Sequence, residues 1–504
     1  MAQLNLQSSI SKVSITLFGR IITAVVGIIF VPIYVKLIGA ESYGLVAFYA
    51  TLASALAVLD LGLSTAISRQ VAILQVQQGK EKEMKDLVLS VEIIYWCIGI
   101  LVGVLIVLLA HPIAVYWVKA EKLPVADIEK AVMLMGCVFA FQFPSSIYNG
   151  VMTGLEKQVA NAVINVIFTL LKAVGVIAAL KFIAPTIECY FTWQVVIIFG
   201  LTLALRIFVW KKLSASREKA SFSVEQLRTI WRFAAGMTGI SMITFFITEF
   251  DKIVISKMVL LEYVGYYNLA FLLAGGINQL ISPMQPVIFP RLSALVAQSR
   301  EADLVALYHK SARWIAIIVF PIGFTMIAFA DDILLLWTHN PQLTANTAPI
   351  LRVCAAGTIC NCMMWTPYFY MLAKGNTTFT IYQNIIASVI LVPLLFILAR
   401  YYGALGASFV WLIVNAGYVL ISIPVFHMKF LRGELLNWYR NDISRAFLFA
   451  FILTAAVKIF RVECIAVINI PLLAGILLFA LAVYVLAMPD LREVAVRMKS
   501  RLSA

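Results

Sequence analysis

The sequence predicts an all-α polytopic membrane protein of about 14 transmembrane helices, built as two six-helix lobes in parallel repeat plus an extra C-terminal helix pair. Three observations predict it. Hydrophobic residues make up 62% of the 504 and charged residues only 13%, against roughly 45–50% and 25% in soluble domains. Apolar runs of about 20 residues, each enough to cross a hydrocarbon core of ~30 Å as a helix, recur from end to end. Finally, one hydrophobic hairpin occurs twice. The first copy runs from Pro32 through Lys36, Glu41 and Tyr43 to Gly44; the second runs from Lys252 through Lys257, Glu262 and Tyr263 to Gly265. Glu41 to Glu262 and Gly44 to Gly265 are both offsets of 221. A duplicated set of membrane helices is what two halves rocking about a shared central site require.

Taken in order, the runs fall near 14–38, 44–67, 88–110, 130–153, 160–182, 188–210, 233–256, 265–289, 313–329, 348–372, 380–399, 404–426, 443–461 and 467–488. Barrel strands are ~10 residues of alternating polarity, so the runs are helices. No small-residue cleavage site follows a short apolar core at the N-terminus, so the first run is read as a retained span. The repeat extends past the hairpin: Arg69 and Arg291 are 222 apart, Pro144 and Pro367 223, Asn165 and Asn384 219. Six spans per half, an even number, give both halves the same orientation. The expected domains are an N-terminal lobe at 1–210, a cytoplasmic linker at 211–232, a C-terminal lobe at 233–426, and the extra pair with its cytoplasmic tail at 427–504. In span 8, Pro283, Pro286 and Pro290 follow Gly275 and Gly276. Each proline removes a donor and crowds the preceding turn, so that span is expected to kink or unwind locally.

The net charge of +14 is not read as a nucleic-acid signal, because the basic residues mark topology. With a cytoplasmic N-terminus, 25 of the 39 Lys and Arg fall in cytoplasmic loops, linker and tail, and nine on the opposite side. That bias follows the positive-inside rule and places both termini in the cytoplasm. The seven cysteines lie in or at the ends of spans and read as small apolar residues. None of the four histidines has ligand spacing to another, no phosphate-binding Gly-rich loop with Lys-Ser/Thr occurs, and the soluble loops are too short for a catalytic domain. The chain is therefore expected to be no enzyme and to need no cofactor.

The chemistry resides in charges within spans. The basic set is Arg20, Lys172, Arg206, Lys252 and Arg352; the acidic set is Asp60, Glu92, Glu249 and Asp251. A lone charge at a helix centre costs ~2.5–3.5 kcal/mol on insertion scales, so deep ones must pair or face a wet interior. Arg206 and Arg352 sit near helix ends and are expected to snorkel, and Glu92 lies close to the cytoplasmic end of span 3. Lys172 lies near mid-membrane in span 5. Arg20 and Asp60, at comparable depths in one hairpin, are placed to pair. Glu249 and Lys252 are i, i+3 and share a face, which also fits a simple internal salt bridge.

Several stretches resemble one family: Phe30 to Gly39 with Glu41 to Gly44, Leu59-Asp60-Leu-Gly62-Leu-Ser64, and Ala373 to Thr377 with Asn384. Together they resemble polysaccharide flippases of the Wzx type, in the superfamily that also holds multidrug and toxin extrusion exporters and lipid II flippases. The resemblance spans essentially the full length and implies two lobes with a cavity bordered by spans 1, 2, 7 and 8. The implied cargo is an undecaprenyl-diphosphate-linked oligosaccharide, moved from the cytoplasmic to the outer leaflet of a bacterial inner membrane by alternating access. The implied partners are that lipid-linked oligosaccharide, membrane lipids, a proton or sodium ion, and a polysaccharide polymerase with glycosyltransferases. Lys252 stands where the first copy has Pro32, a departure from symmetrical mechanics.

Arginine grips phosphate with two parallel donors and lysine acts as a point charge. The substrate-binding candidates are accordingly Arg20, Arg69 and Arg291 at the cytoplasmic mouth, with Lys172 and Lys252 deeper. The ion-coupling candidates are Asp60, Glu249 and Asp251. Three other readings stay open at this point: a proton- or sodium-coupled multidrug exporter, a lipid II flippase, and a non-transporting scaffold of a polysaccharide assembly complex.

Overall fold

The computed structural model describes residue 19 and residues 22–23, 25–60, 62–75, 77, 79–213, 219–230, 249–376 and 378–464. Arg20, the start of span 1, most of span 7 and all of span 14 lie outside the described residues. Within them the chain is helical, with no strand. Seven helices are long and apolar enough to cross a membrane, or eight when one bent pair is joined. The chain divides into two compact units, Met1–Gly265 and Tyr266–Ala504.

In the first unit, α1 (Val31–Ile38) ends at Gly39 and α2 (Ala40–Ala57) follows it. A short 3-10 turn, Val58–Asp60, then breaks the helix before α3 (Leu63–Gln75). The sequence predicts one unbroken span over 44–67, but the structure interrupts it at Asp60. Four long helices follow: α4 (Glu81–Leu108), α5 (Val125–Gly154), α6 (Gln158–Phe182) and α7 (Ile187–Leu213). The last helix of this unit is the short α8 (Phe250–Met258).

Burial explains how these helices stack. On α4, Leu87, Val91 and Tyr95 repeat at i, i+4 and are fully buried, while Leu101, Leu105 and Leu108 are exposed. On α6, Val163, Ile167, Leu170 and Val174 form one exposed apolar stripe. A soluble protein would not present such a stripe to water; a lipid-facing helix does. Helix α5 is the hub, packing against α3, α4 and α7.

In the second unit, α9 (Leu261–Ile281) runs into a 3-10 turn at Ser282–Met284 and continues as α10 (Gln285–Ala297), bent by 44°. The bend falls at Pro283, as the proline cluster predicts. Next come α11 (Glu301–Ala328), α12 (Ala330–Thr338), α13 (Pro341–Met363) and α14 (Trp365–Ala373). Helix α15 (Thr378–Gly417) is two segments joined at Gly403, whose φ of 58° only glycine adopts readily. The sequence predicts spans 380–399 and 404–426 separated at that point. A π turn (Tyr418–Ser422) leads into α16 (Ile423–Phe430), and a second π turn (Trp438–Ile443) into α17 (Ser444–Cys464).

The duplication is visible in these breaks. Shifted by 221, Gly62 falls on Pro283, so the second span of each copy is interrupted within one helical turn of the same place. Arg69 and Arg291 each follow the break by about two turns, and both side chains are exposed.

Candidate functional site

The two repeated turns pack on each other within the first unit. A Cβ added to Gly44 would lie 2.2 Å from the Leu261 carbonyl oxygen, so only glycine permits this approach. The segment from Tyr116 to Lys122 laces both turns together. The buried Glu41 carboxylate accepts from the backbone N–H groups of Glu121 (2.5 Å) and Lys122 (3.0 Å). On the other side, Leu261 N–H donates to the Lys119 carbonyl at 2.7 Å, and Trp117 Nε1 donates to Ser256 Oγ at 3.1 Å. Glu262, the counterpart of Glu41, lies 4.0 Å from Lys122 Nζ. The repeated glutamates thus serve one clasp, Glu41 through backbone donors and Glu262 through a side-chain charge.

Asp60 sits at the break between α2 and α3, in a setting of hydroxyl groups. Its Oδ1 accepts from Tyr95 (2.5 Å) and Ser146 (3.2 Å), and its Oδ2 from Ser64 (2.7 Å). Tyr95 comes from the buried stripe of α4, Ser146 from α5 and Ser64 from α3. Their convergence depends on close packing of α3 and α5: a Cβ on Gly150 or Gly154 would meet the Ser64 or Ser68 carbonyl at 2.5 Å. This is the small-residue spacing that lets membrane helices approach. Hydroxyls can donate to a carboxylate or turn their lone pairs toward a cation, so the site suits either a proton or a small cation. Discontinuous helices in transporters commonly hold such ions at the break.

The remaining charges are placed as follows. Lys172 is half-buried on α6 and forms no hydrogen bond or ion pair among the described residues. Glu249 and Lys252 form an ion pair of 2.8 Å on α8, the internal salt bridge that their spacing allows, and Asp251 between them is buried. Arg206 does not merely snorkel: its Nε reaches Glu92 Oε1 at 2.5 Å. Glu92 also accepts from Tyr148 (3.0 Å) and Trp210 (2.7 Å), so α4, α5 and α7 share one buried carboxylate. Arg352 pairs with Asp331. Whether Arg20 meets Asp60 lies outside the described residues.

A further cluster has no counterpart in the sequence reading, which found no linked histidines. In the second unit, the His309 Nδ1 bonds the fully buried Asp442, which also accepts from Arg313 Nη1 at 3.0 Å. His309 Nε2 lies 3.1 Å from Glu434 Oε2. Beside it, His427 Nδ1 is 2.8 Å from the Ile423 carbonyl and must donate there, leaving Nε2 to accept from the Tyr308 hydroxyl at 3.2 Å. The cluster fastens the π turn before α17 to the start of α11. Its partners are separated by 119 and 133 residues, so no local spacing could have disclosed it.

A family model described as "Polysaccharide biosynthesis protein" matches residues 9–296. A Shigella flexneri protein named for O-antigen transport is 21% identical over 410 residues, covering 80% of this chain and 94% of that one. The succinoglycan biosynthesis transport protein ExoT of Rhizobium meliloti is 23% identical over 421 residues, covering 81% and 78%. Among solved structures, the lipid II flippase MurJ in an inward closed conformation superposes with a TM-score of 0.70 at 14% identity, over 95% of this chain and 98% of that one. An inward-facing multidrug resistance MATE family transporter of the MOP superfamily gives 0.65 at 14% identity, over 86% and 99%. At these identities the two likenesses establish the fold alone.

Proposed function

Since the chain belongs to the polysaccharide biosynthesis protein family, we propose that it is the flippase of a surface-polysaccharide pathway. Its cargo in this reading is an undecaprenyl-diphosphate-linked oligosaccharide, carried from the cytoplasmic to the outer leaflet of a bacterial inner membrane. The observation that carries the proposal is the family match, extended by two relatives named for polysaccharide transport that align over about four-fifths of the chain. The architecture proposed with it is 14 helices in two six-helix lobes, 1–210 and 233–426, joined by the linker 211–232 and followed by the pair in 427–504. Both termini face the cytoplasm.

The mechanism proposed is alternating access of a cation-lined cavity. Arg20, Arg69 and Arg291 receive the diphosphate, and Lys172 and Lys252 follow it deeper. The breaks in α2–α3 and α9–α10 support this, because each leaves helix ends and an exposed arginine two turns beyond at matching registers. A diphosphate of about −2 leaving a negative-inside cell gains ~2.3 kcal/mol per charge per 100 mV, so transport needs no nucleotide. Asp60, with Glu249 or Asp251, couples a proton or sodium ion. A polymerase and glycosyltransferases act on either side of the transport step.

The test is complementation of a flippase-deficient strain, with surface polysaccharide as the readout. The wild-type chain restores it, while Arg69→Ala and Arg291→Ala do not, at equal membrane abundance. A second reading, an ion-coupled multidrug exporter, draws on the Asp60 setting and the shared fold. It is the better account if overexpression raises resistance to cationic drugs and restores no polysaccharide.

A further inference from the structure

The second unit contains a groove of about 640 Å³ framed by a single stretch of chain, from Asn376 to Phe430. One wall is the first segment of α15; the other is the segment after Gly403 with the π turn and α16. Its two ends differ in chemistry. At one end are Asn376, Thr378 and Lys429; at the other, Ile390 and Ile413. From Phe379 to Ile390 the helix advances about 17 Å, which matches the ~15 Å half-thickness of a hydrocarbon core. On the orientation expected from the basic residues, the groove runs from the cytoplasmic headgroup level to the bilayer midplane.

The cation at the polar end is available. Lys429 is exposed, its Nζ stands 5.7 Å from the centre of the Phe379 ring, and among the described residues no carboxylate pairs with it. Along the wall, Tyr382 and Ile386 are 64% and 60% exposed. A positive head end over an apolar trough of half-membrane length is complementary to a phosphate attached to a long hydrocarbon chain. There is one trough and one cation, so a single-chain lipid uses the whole site. A two-chain phospholipid leaves its second chain in the bilayer and gains little.

We propose that this groove holds the polyprenyl tail of the cargo lipid, with Lys429 taking the phosphate nearest to it. The assignment rests on the flippase reading above and adds to it a place for the tail, outside the candidate residues given there.

The experiment is native mass spectrometry of the purified full-length chain with added polyprenyl monophosphate, and separately with phosphatidylglycerol. The expected result is retention of polyprenyl monophosphate by the wild type, weakened about fivefold in Lys429→Ala, the contribution of one lysine near a charged headgroup. Ile386→Trp, which fills the trough, weakens it at least as much, and Lys429→Arg retains it. Phosphatidylglycerol retention is unchanged in all variants. Thermal melting of each variant excludes loss of fold. Equal retention by all variants overturns the assignment, as does parallel loss of both lipids, which makes the groove an ordinary lipid contact. If the wild type retains no polyprenyl monophosphate, the groove proposal fails. Complementation in the same strain then decides separately whether the flippase reading stands.

Discussion

Replacing Asp60 offers a prediction whose size follows from the hydroxyls around it. Asp60→Ala removes the carboxylate that accepts from Ser64 and from Tyr95, a fully buried side chain left only with a long bond of 3.4 Å to the backbone carbonyl of residue 60. Ser146 keeps its bond to the Phe143 carbonyl at 2.9 Å and is not orphaned. A buried donor left with so poor a partner costs at most ~1–3 kcal/mol, and the half-buried Ser64 hydroxyl adds less, so the total is about 1–3 kcal/mol. Asp60→Asn keeps an oxygen for Tyr95 and offers Ser64 a donor, so its stability cost is at most about 1 kcal/mol. Both lose the negative charge. The expected outcome is therefore a separation: Asp60→Asn is stable but loses any dependence of transport on pH or sodium, whereas Asp60→Ala is also destabilised. A double-mutant cycle with Tyr95→Phe, followed by denaturation of the purified protein, measures the bond directly. Coupling of about 1–2 kcal/mol is expected, and additivity within ~0.5 kcal/mol refutes the hydroxyl setting. Unchanged ion dependence in Asp60→Asn removes Asp60 from coupling.

Other outcomes follow from the same structure. Gly44→Ala drives a methyl into the Leu261 carbonyl and is expected to cost about 1–3 kcal/mol and to reduce polysaccharide export. Gly265→Ala, at its repeat-equivalent position, has its nearest contact at 3.4 Å and is tolerated; paired export assays compare them. Asp442→Ala removes the fully buried carboxylate that Arg313 and His309 share and is expected to cost about 3–5 kcal/mol. It should be seen as lowered membrane abundance and protease cleavage near the second π turn. Lys172→Ala is expected to slow export about tenfold or more, the scale of one charge-assisted contact, while Lys172→Arg retains most of it.

The parts of the fold that were legible in the sequence are those fixed by local chemistry. Apolar run length marked the seven long helices found among the described residues, three prolines marked the bend in α9–α10, and Gly403 fell in the gap between two expected spans. The repeat was legible because its Glu and Gly recur at one offset, 221, with a Tyr beside them at 220. Its meaning was not: that Gly44 and Leu261 touch is a contact across more than two hundred residues. The break at Asp60 has no proline to signal it. Gly62, whose φ of 65° suits glycine, sits in it, and Gly150 and Gly154 bring α5 against the helix that follows. Likewise Glu92 and Arg206 are 114 residues apart in sequence. Each was read alone, as a charge near a helix end, because a pairing of that span leaves no periodic trace. The histidine cluster escaped for the same reason.

The most direct measurement is reconstitution of the purified chain in liposomes that carry a polyprenyl-diphosphate oligosaccharide, with a membrane-impermeant glycosidase reporting sugar at the outer surface. The account expects sugar to reach that surface at a rate raised by a negative-inside potential and abolished when Arg69 and Arg291 are both replaced by alanine. Sugar appearing no faster than in empty liposomes, or equally fast with both arginines removed, contradicts it.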